Sequence, residues 1–122
     1  MANPVVVTID SNGFTPCNVT LYQSNPGTDR PNSVQWTNTT SNDISWTMHQ
    51  ASSYFSTTAP PNNQGNPAPG NNTVPANSSL TLWIKDTASI GNNGVSRTYT
   101  LQNGTTTLAC PAQDPPDIMI EP

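Results

Sequence analysis

The chain is built from short stretches in which every second residue is apolar. Such alternation predicts β-strands with one face toward a core and the other toward solvent. We expect about eight strands, because no window keeps the apolar spacing of an amphipathic helix over three turns. The apolar series are Val5, Val7 and Ile9; Val19 and Leu21; Val34 and Trp36; Ile44, Trp46 and Met48; Leu80, Leu82 and Ile84; Tyr99 and Leu101; Leu108 and Cys110; Ile118 and Ile120. The pattern predicts an all-β sandwich that residues 1–122 form as a single domain.

Turn-forming residues separate the predicted strands. Asn103-Gly104 lies between two alternating runs and predicts an antiparallel hairpin of residues 96–102 and 105–110. Residues 57–75 differ from the rest, because they are rich in proline and asparagine and nearly free of apolar residues. Proline cannot donate to a β-ladder, so this segment cannot be a central strand. We expect a long surface loop at about 57–75 that joins the two halves of the sandwich.

The composition narrows the range of partners. Lys and Arg number three against seven Asp and Glu, and only 8% of the residues are charged. A basic patch cannot form from so few cations, which argues against nucleic-acid binding. No apolar stretch approaches the roughly 20 residues that a membrane-spanning helix needs. The expected partner is therefore a protein or a glycan, with no nucleic acid and no membrane span.

The two cysteines bear on the redox environment of the protein. Cys17 and Cys110 can form one disulfide, which oxidising compartments preserve. The alternative is a pair of buried free thiols. A secreted, periplasmic or cell-surface location is favoured by three observations. They are the disulfide, the scarcity of Lys and Glu, and the abundance of Asn and Thr.

Several short motifs follow one another in an order known from one protein family. They are Phe14-x-Pro16, Val34-x-Trp36-x-Asn38, the lone His49, the strand entry that leads from Pro75 to Ile84, and the closing strand 117–121. In this order they resemble the cupredoxins, the β-sandwich family that includes the blue copper proteins. The resemblance covers most of the chain and implies a two-sheet Greek-key sandwich.

The resemblance also raises the question of a copper site. A blue copper centre needs two imidazoles, one thiolate and a weak axial thioether. His49 stands where the resemblance places the first imidazole, and Cys110 and Met119 are the other candidates. The chain has one histidine, so the set is incomplete, and Cys110 has a competing partner in Cys17. We expect no metal cofactor; the alternative is a copper-binding or electron-transfer cupredoxin that uses His49, Cys110 and Met119.

Trp83 is a separate candidate for ligand binding. It lies between Leu82 and Ile84, so the alternation directs it away from the core. An outward Trp on a polar sandwich can stack on a sugar ring or bury itself in a partner. It can equally be covered by the loop at 57–75. The sequence leaves these three roles open.

Two carboxylates near the C-terminus offer a weaker possibility. Asp114 and Asp117 lie in a proline-rich turn, where they could hold a Ca²⁺ ion with backbone carbonyl groups. The alternative is a solvated turn that begins the last strand.

No motif for catalysis is present. The chain has no G-x-S-x-G element, no pair of metal-ligating histidines and no Gly-rich phosphate loop. We therefore expect a non-enzymatic, extracytoplasmic, cupredoxin-like domain without a type 1 copper site that acts as a binding or structural module in an assembly. The alternatives are the copper protein described above and a carbohydrate-binding module centred on Trp83.

Overall fold

The regular secondary structure of the described residues is almost entirely β-strand, as the alternation predicts. The computed structural model describes residues 3–110 and 116–122. Within them lie twelve strands and one helical turn, with the following bounds: β1 Val5–Asp10, β2 Gly13–Thr15, β3 Val19–Tyr22, β4 Ser33–Asn38, β5 Ile44–Thr47, α1 Ala51–Tyr54, β6 Phe55–Ser56, β7 Asn71–Val74, β8 Ser79–Ile84, β9 Val95–Thr98, β10 Thr100–Asn103, β11 Thr106–Thr107 and β12 Asp117–Glu121. The count exceeds the predicted eight because several strands have only two to four residues and are too short to show alternation.

The strands form three hydrogen-bonded sheets. One has the order β2-β1-β4-β8-β6, the second β11-β10-β5-β7 and the third β3-β12-β9. Strands β1 and β4 are parallel, as are β3 and β12, whereas all other pairs are antiparallel. This arrangement is consistent with a β-sandwich.

The buried faces of the sheets meet in one hydrophobic core. Every predicted apolar series supplies buried residues to it, so the predicted inward faces are confirmed. Val5, Leu80 and Leu108 are partly buried at its margin. Trp36, Trp46 and Tyr99 form its centre, with ring centroids 5.4–6.4 Å apart. Trp36 belongs to the five-stranded sheet and Trp46 to the four-stranded sheet, so this aromatic cluster joins two sheets.

The predicted strand 96–102 is divided at Tyr99. Residues before it form β9, which pairs with β12, and residues after it form β10, which pairs with β5 and β11. The Tyr99 N–H donates to the Pro116 carbonyl oxygen at 3.2 Å, and its ring is buried between the sheets. The hairpin at Asn103-Gly104 is confirmed, but its second strand is only Thr106–Thr107. The alternation correctly predicted the buried face and missed the change of sheet.

The predicted long loop at 57–75 ends in a strand. Strand β7 pairs with β5 at the edge of the four-stranded sheet, where a proline-flanked segment is tolerated. The preceding residues are held by Asn63, whose side chain is buried. Its amide nitrogen donates to the carbonyl oxygens of Thr58 at 3.1 Å and Ile84 at 2.9 Å. Its amide oxygen accepts from the Asp86 N–H at 2.9 Å.

Burial of Tyr99 gives the stability of the protein a pH dependence. Desolvation raises the pKa of Tyr99 from 10.0 to about 12. Between these values the unfolded chain releases a proton that the folded chain retains, so the contribution of Tyr99 is complete below pH 10 and falls as the pH rises toward 12. We expect a loss of about 3 kcal/mol of unfolding free energy across this range.

Urea unfolding at about pH 9 and about pH 11 measures the first half of this loss, which is about 1.3 kcal/mol. The control is Tyr99→Phe, which removes the titrating hydroxyl and keeps the ring. Its unfolding free energy should change less between the two pH values than that of the wild type. An equal change in unfolding free energy between the two pH values in wild type and Tyr99→Phe would contradict the raised pKa of Tyr99.

Candidate functional site

Trp83 projects from the outer face of the five-stranded sheet. Its strand neighbours Leu82 and Ile84 are buried on the inner face, whereas Trp83 is half-buried. It pairs with Ser33 of β4 on one side and Ser56 of β6 on the other. The predicted outward orientation of Trp83 is therefore confirmed.

Chain segments from four parts of the sequence line a cleft of about 430 Å³ at this indole. Their residues are Pro4, Pro26, Asn32, Ser33, Ala59, Pro60 and Thr81, together with Trp83 itself. We call this group the Trp83 cleft. Three of its members are prolines from connecting segments, which present rigid apolar surface beside the indole.

Hydrogen bonds hold two walls of the Trp83 cleft in place. Pro26 precedes a tight turn in which Gly27 and Arg30 exchange two backbone hydrogen bonds of 3.0 and 3.1 Å. Pro60 lies in the segment that Asn63 anchors, and the Asn62 N–H donates to an Asp86 carboxylate oxygen at 2.6 Å. The loop after β6 therefore borders Trp83 without covering it completely.

The cleft lining has no ionisable side chain. Its polar groups are the amide of Asn32 and the hydroxyls of Ser33 and Thr81. Asn32 is fixed through its backbone, because its carbonyl oxygen accepts from the Ile84 N–H at 2.9 Å. A cleft of this kind offers an aromatic plane and neutral hydrogen-bonding groups, and it offers no charge to a charged ligand.

The candidate copper ligands occupy different environments. His49 is exposed after β5 and lines a shallow depression with Gln50, Ser96, Arg97 and Thr98; neither Cys110 nor Met119 borders it. Cys110 is buried and bonded to Cys17, with Cα atoms 5.6 Å apart, which confirms the predicted disulfide. Its sulfur is therefore not a thiolate.

Met119 and Asp117 are the remaining candidates among the described residues, and neither is grouped with other metal-ligating side chains. Met119 is half-buried on β12, on the face opposite to Ile118 and Ile120. Asp117 accepts a 2.5 Å hydrogen bond from the Ser96 hydroxyl, and Asp114 lies outside the described residues. Across residues 3–110 and 116–122, no three His, Cys, Asp or Glu residues are grouped as a metal site requires.

A second cleft, also of about 430 Å³, lies where the β1–β2, β4–β5 and β10–β11 turns meet. It is lined by Asp10, Ser11, Thr39, Thr40, Ser41, Asn42, Ile44, Asn103 and Leu108. Sequence analysis missed it, since hydroxyl-bearing residues are common throughout the chain. Two of its hydroxyls are already engaged: Thr39 donates to the Ile9 carbonyl oxygen and Thr40 to the Asn38 amide oxygen, both at 2.7 Å. The Trp83 cleft is therefore the better candidate, because it combines an aromatic surface with polar side chains that form no hydrogen bond within residues 3–110 and 116–122.

Comparison of the chain with models of protein families, with curated proteins and with solved structures found no match. The described helix is a single turn of four residues, so no helix in this part of the chain can cross a membrane.

Proposed function

We propose that this protein is a non-catalytic module that binds an uncharged carbohydrate in the Trp83 cleft. The observation that carries the proposal is a half-buried indole in a cleft without ionisable side chains. A sugar ring presents C–H groups on its faces and hydroxyls on its edge. Its faces can pack on the indole of Trp83, and its hydroxyls can exchange hydrogen bonds with Asn32, Ser33 and Thr81.

The composition of the cleft favours binding over hydrolysis. Glycoside hydrolysis uses a pair of carboxylates, one on each side of the scissile bond. The lining contains no Asp, Glu or His. The proposal therefore assigns the cleft a recognition role and no bond-breaking step.

An extracytoplasmic location fits this proposal. The disulfide between Cys17 and Cys110 is of the kind that oxidising compartments preserve. Polysaccharides of cell walls and surfaces occur in the same compartments.

We also propose that the sandwich is a cupredoxin-like Greek key in which carbohydrate recognition replaces copper chemistry. The motifs around Phe14, Trp36 and Asn38 support the family, and the disulfide-bonded Cys110 supports the loss of copper.

Substitution of Trp83 tests the proposal. We expect Trp83→Ala to weaken binding of neutral polysaccharide by about 10-fold or more, because it removes the stacking surface. Affinity electrophoresis in gels that contain soluble β-glucan, xylan or galactomannan measures the effect as a loss of retardation. Trp83→Phe keeps an aromatic plane and should retain part of the affinity.

The matched control is Met119→Ala, which also removes a half-buried apolar side chain from an outward sheet face. This variant should be retarded like the wild type. Absence of retardation by all three polysaccharides, or equal retardation of the wild type and Trp83→Ala, would overturn the proposal. Binding of a polyproline peptide that requires Trp83 would instead assign the cleft to proline-rich protein segments.

A further inference from the structure

The outer face of the five-stranded sheet continues from the Trp83 cleft as a surface that stays uncharged as far as Asp10 at the end of β1. Strand register places its side chains in three cross-strand rows. The first row holds Trp83 and Ser33, the second Thr81, Gln35 and Val6, and the third Ser79, Thr37, Thr8 and Thr15. Thr81 belongs both to the second row and to the cleft, so the cleft and the rows form one surface. We call it the outer-face strip.

The side chains of the strip have the chemistry of the cleft. All are neutral, and all except Val6 and Trp83 carry a hydroxyl or an amide. Val6 is 47% exposed and is the exposed large hydrophobic residue of the described chain. Ser79 donates to the Thr37 hydroxyl at 3.2 Å, whereas Gln35 forms no side-chain hydrogen bond within residues 3–110 and 116–122. The strip therefore has unused hydrogen-bonding groups beside an exposed apolar side chain.

The strip is too long for a single sugar ring. Trp83 and Ser79 are four residues apart on β8, which corresponds to about 13 Å along an extended strand. Three strands side by side give a width of about 10 Å between the outer two. One sugar ring stacked on Trp83 would leave the second and third rows unused.

We propose that the ligand is a neutral polysaccharide chain that lies along β4 and β8, with one sugar on Trp83 and further sugars on the second and third rows. This inference rests on the proposed function and adds the length and direction of the ligand. The ligand and the strip match in charge, because the strip has no ionisable side chain and the polysaccharide is uncharged. They also match in shape, because both the strands of the sheet and the polysaccharide are extended. A charged polysaccharide would find no counter-ion on this surface.

A chain-length series tests the inference. The probes are neutral oligosaccharides from disaccharide to hexasaccharide, prepared from the polysaccharide that gives the strongest retardation. We expect calorimetric affinity to increase by about 10-fold or more until the chain spans the three rows and then to level off, since only a sugar that reaches a further row gains contacts. Thr37→Ala/Ser79→Ala removes hydroxyls of the third row, which a disaccharide on Trp83 does not reach, so it should reduce this increase and leave disaccharide affinity unchanged.

Two other variants separate the possible outcomes. Thr20→Ala, on the exposed face of β3, is the matched control and should keep the full increase. Val6→Glu introduces a carboxylate into the second row and should lower affinity for neutral chains that extend beyond Trp83. Urea unfolding of each variant verifies that it folds.

The results distinguish this inference from the proposed function. Equal affinity at all chain lengths, still dependent on Trp83, would overturn the inference and retain the carbohydrate module. Loss of binding to every saccharide would overturn both. Concentration-dependent dimerisation that Val6→Glu abolishes would show that a second copy of the chain occupies the strip, and this too would overturn the inference.

Discussion

Reduction of the Cys17–Cys110 disulfide lowers the free energy of unfolding by about 4–5 kcal/mol. The two cysteines are 93 residues apart in sequence, and cross-linking so long a loop restricts the unfolded chain by about this amount in the chain-entropy account. For a domain whose total stability is about 5–15 kcal/mol, such a loss is a large fraction. The disulfide is therefore expected to decide whether the sandwich stays folded at physiological temperature.

The folded protein can keep its packing when the bond is reduced. Both cysteines are buried, and the Cys110 sulfur lies 3.2 Å from the Phe14 carbonyl oxygen, where a thiol can donate a weak hydrogen bond. Reduction therefore changes mainly the unfolded state. A Cys→Ala substitution would add the loss of a buried sulfur to the same effect.

Urea unfolding with and without dithiothreitol, followed by Trp fluorescence, measures the difference. The Cys17→Ala/Cys110→Ala double variant is the control, because dithiothreitol should leave its unfolding curve unchanged. A difference below about 1 kcal/mol between the oxidised and reduced wild type would contradict the expectation. Thiol alkylation and intact mass verify the redox state of each sample.

The inner faces of the strands could be predicted because alternation is a local property of the chain. Val7, Trp36, Trp46 and Leu82 are buried as the alternation requires. Sheet membership is not local. Tyr99 continues the inward series from β9 to β10, yet the chain changes partners at this residue, and only the positions of β5 and β12 determine the change.

The orientation of Trp83 could also be predicted, since its buried neighbours Leu82 and Ile84 fix it. The walls of its cleft could not. Pro4, Pro26 and Pro60 lie far apart in sequence, and they meet because β1, β4, β8 and β6 are successive neighbours in one sheet. A proline-rich loop has no periodicity from which such a meeting could be inferred.

Asn38→Ala is expected to lower the free energy of unfolding by about 2–4 kcal/mol, because it leaves one buried carbonyl group and several partly buried groups without the hydrogen bonds of the Asn38 side chain. Asn38 ends β4 and its side chain is buried. The amide nitrogen donates to the carbonyl oxygens of Asn42 at 2.7 Å, Val74 at 3.1 Å and Pro75 at 3.2 Å. The amide oxygen accepts from the N–H and hydroxyl of Thr40 at 2.9 and 2.7 Å. One side chain thus joins the end of β4 to the following turn and to the end of β7.

Two matched variants show which part of Asn38 is responsible. Asn42→Ala should change stability by less than about 0.5 kcal/mol, since Asn42 is exposed and contributes only backbone groups to this network. Asn38→Asp keeps the shape of the side chain but directs a carboxylate oxygen at the three carbonyl groups, so it should be at least as destabilising as Asn38→Ala. Urea unfolding at neutral pH compares the four proteins. Wild-type stability in Asn38→Asp would show that the amide donor does not hold β4 to β7, and that packing of the surrounding side chains is sufficient.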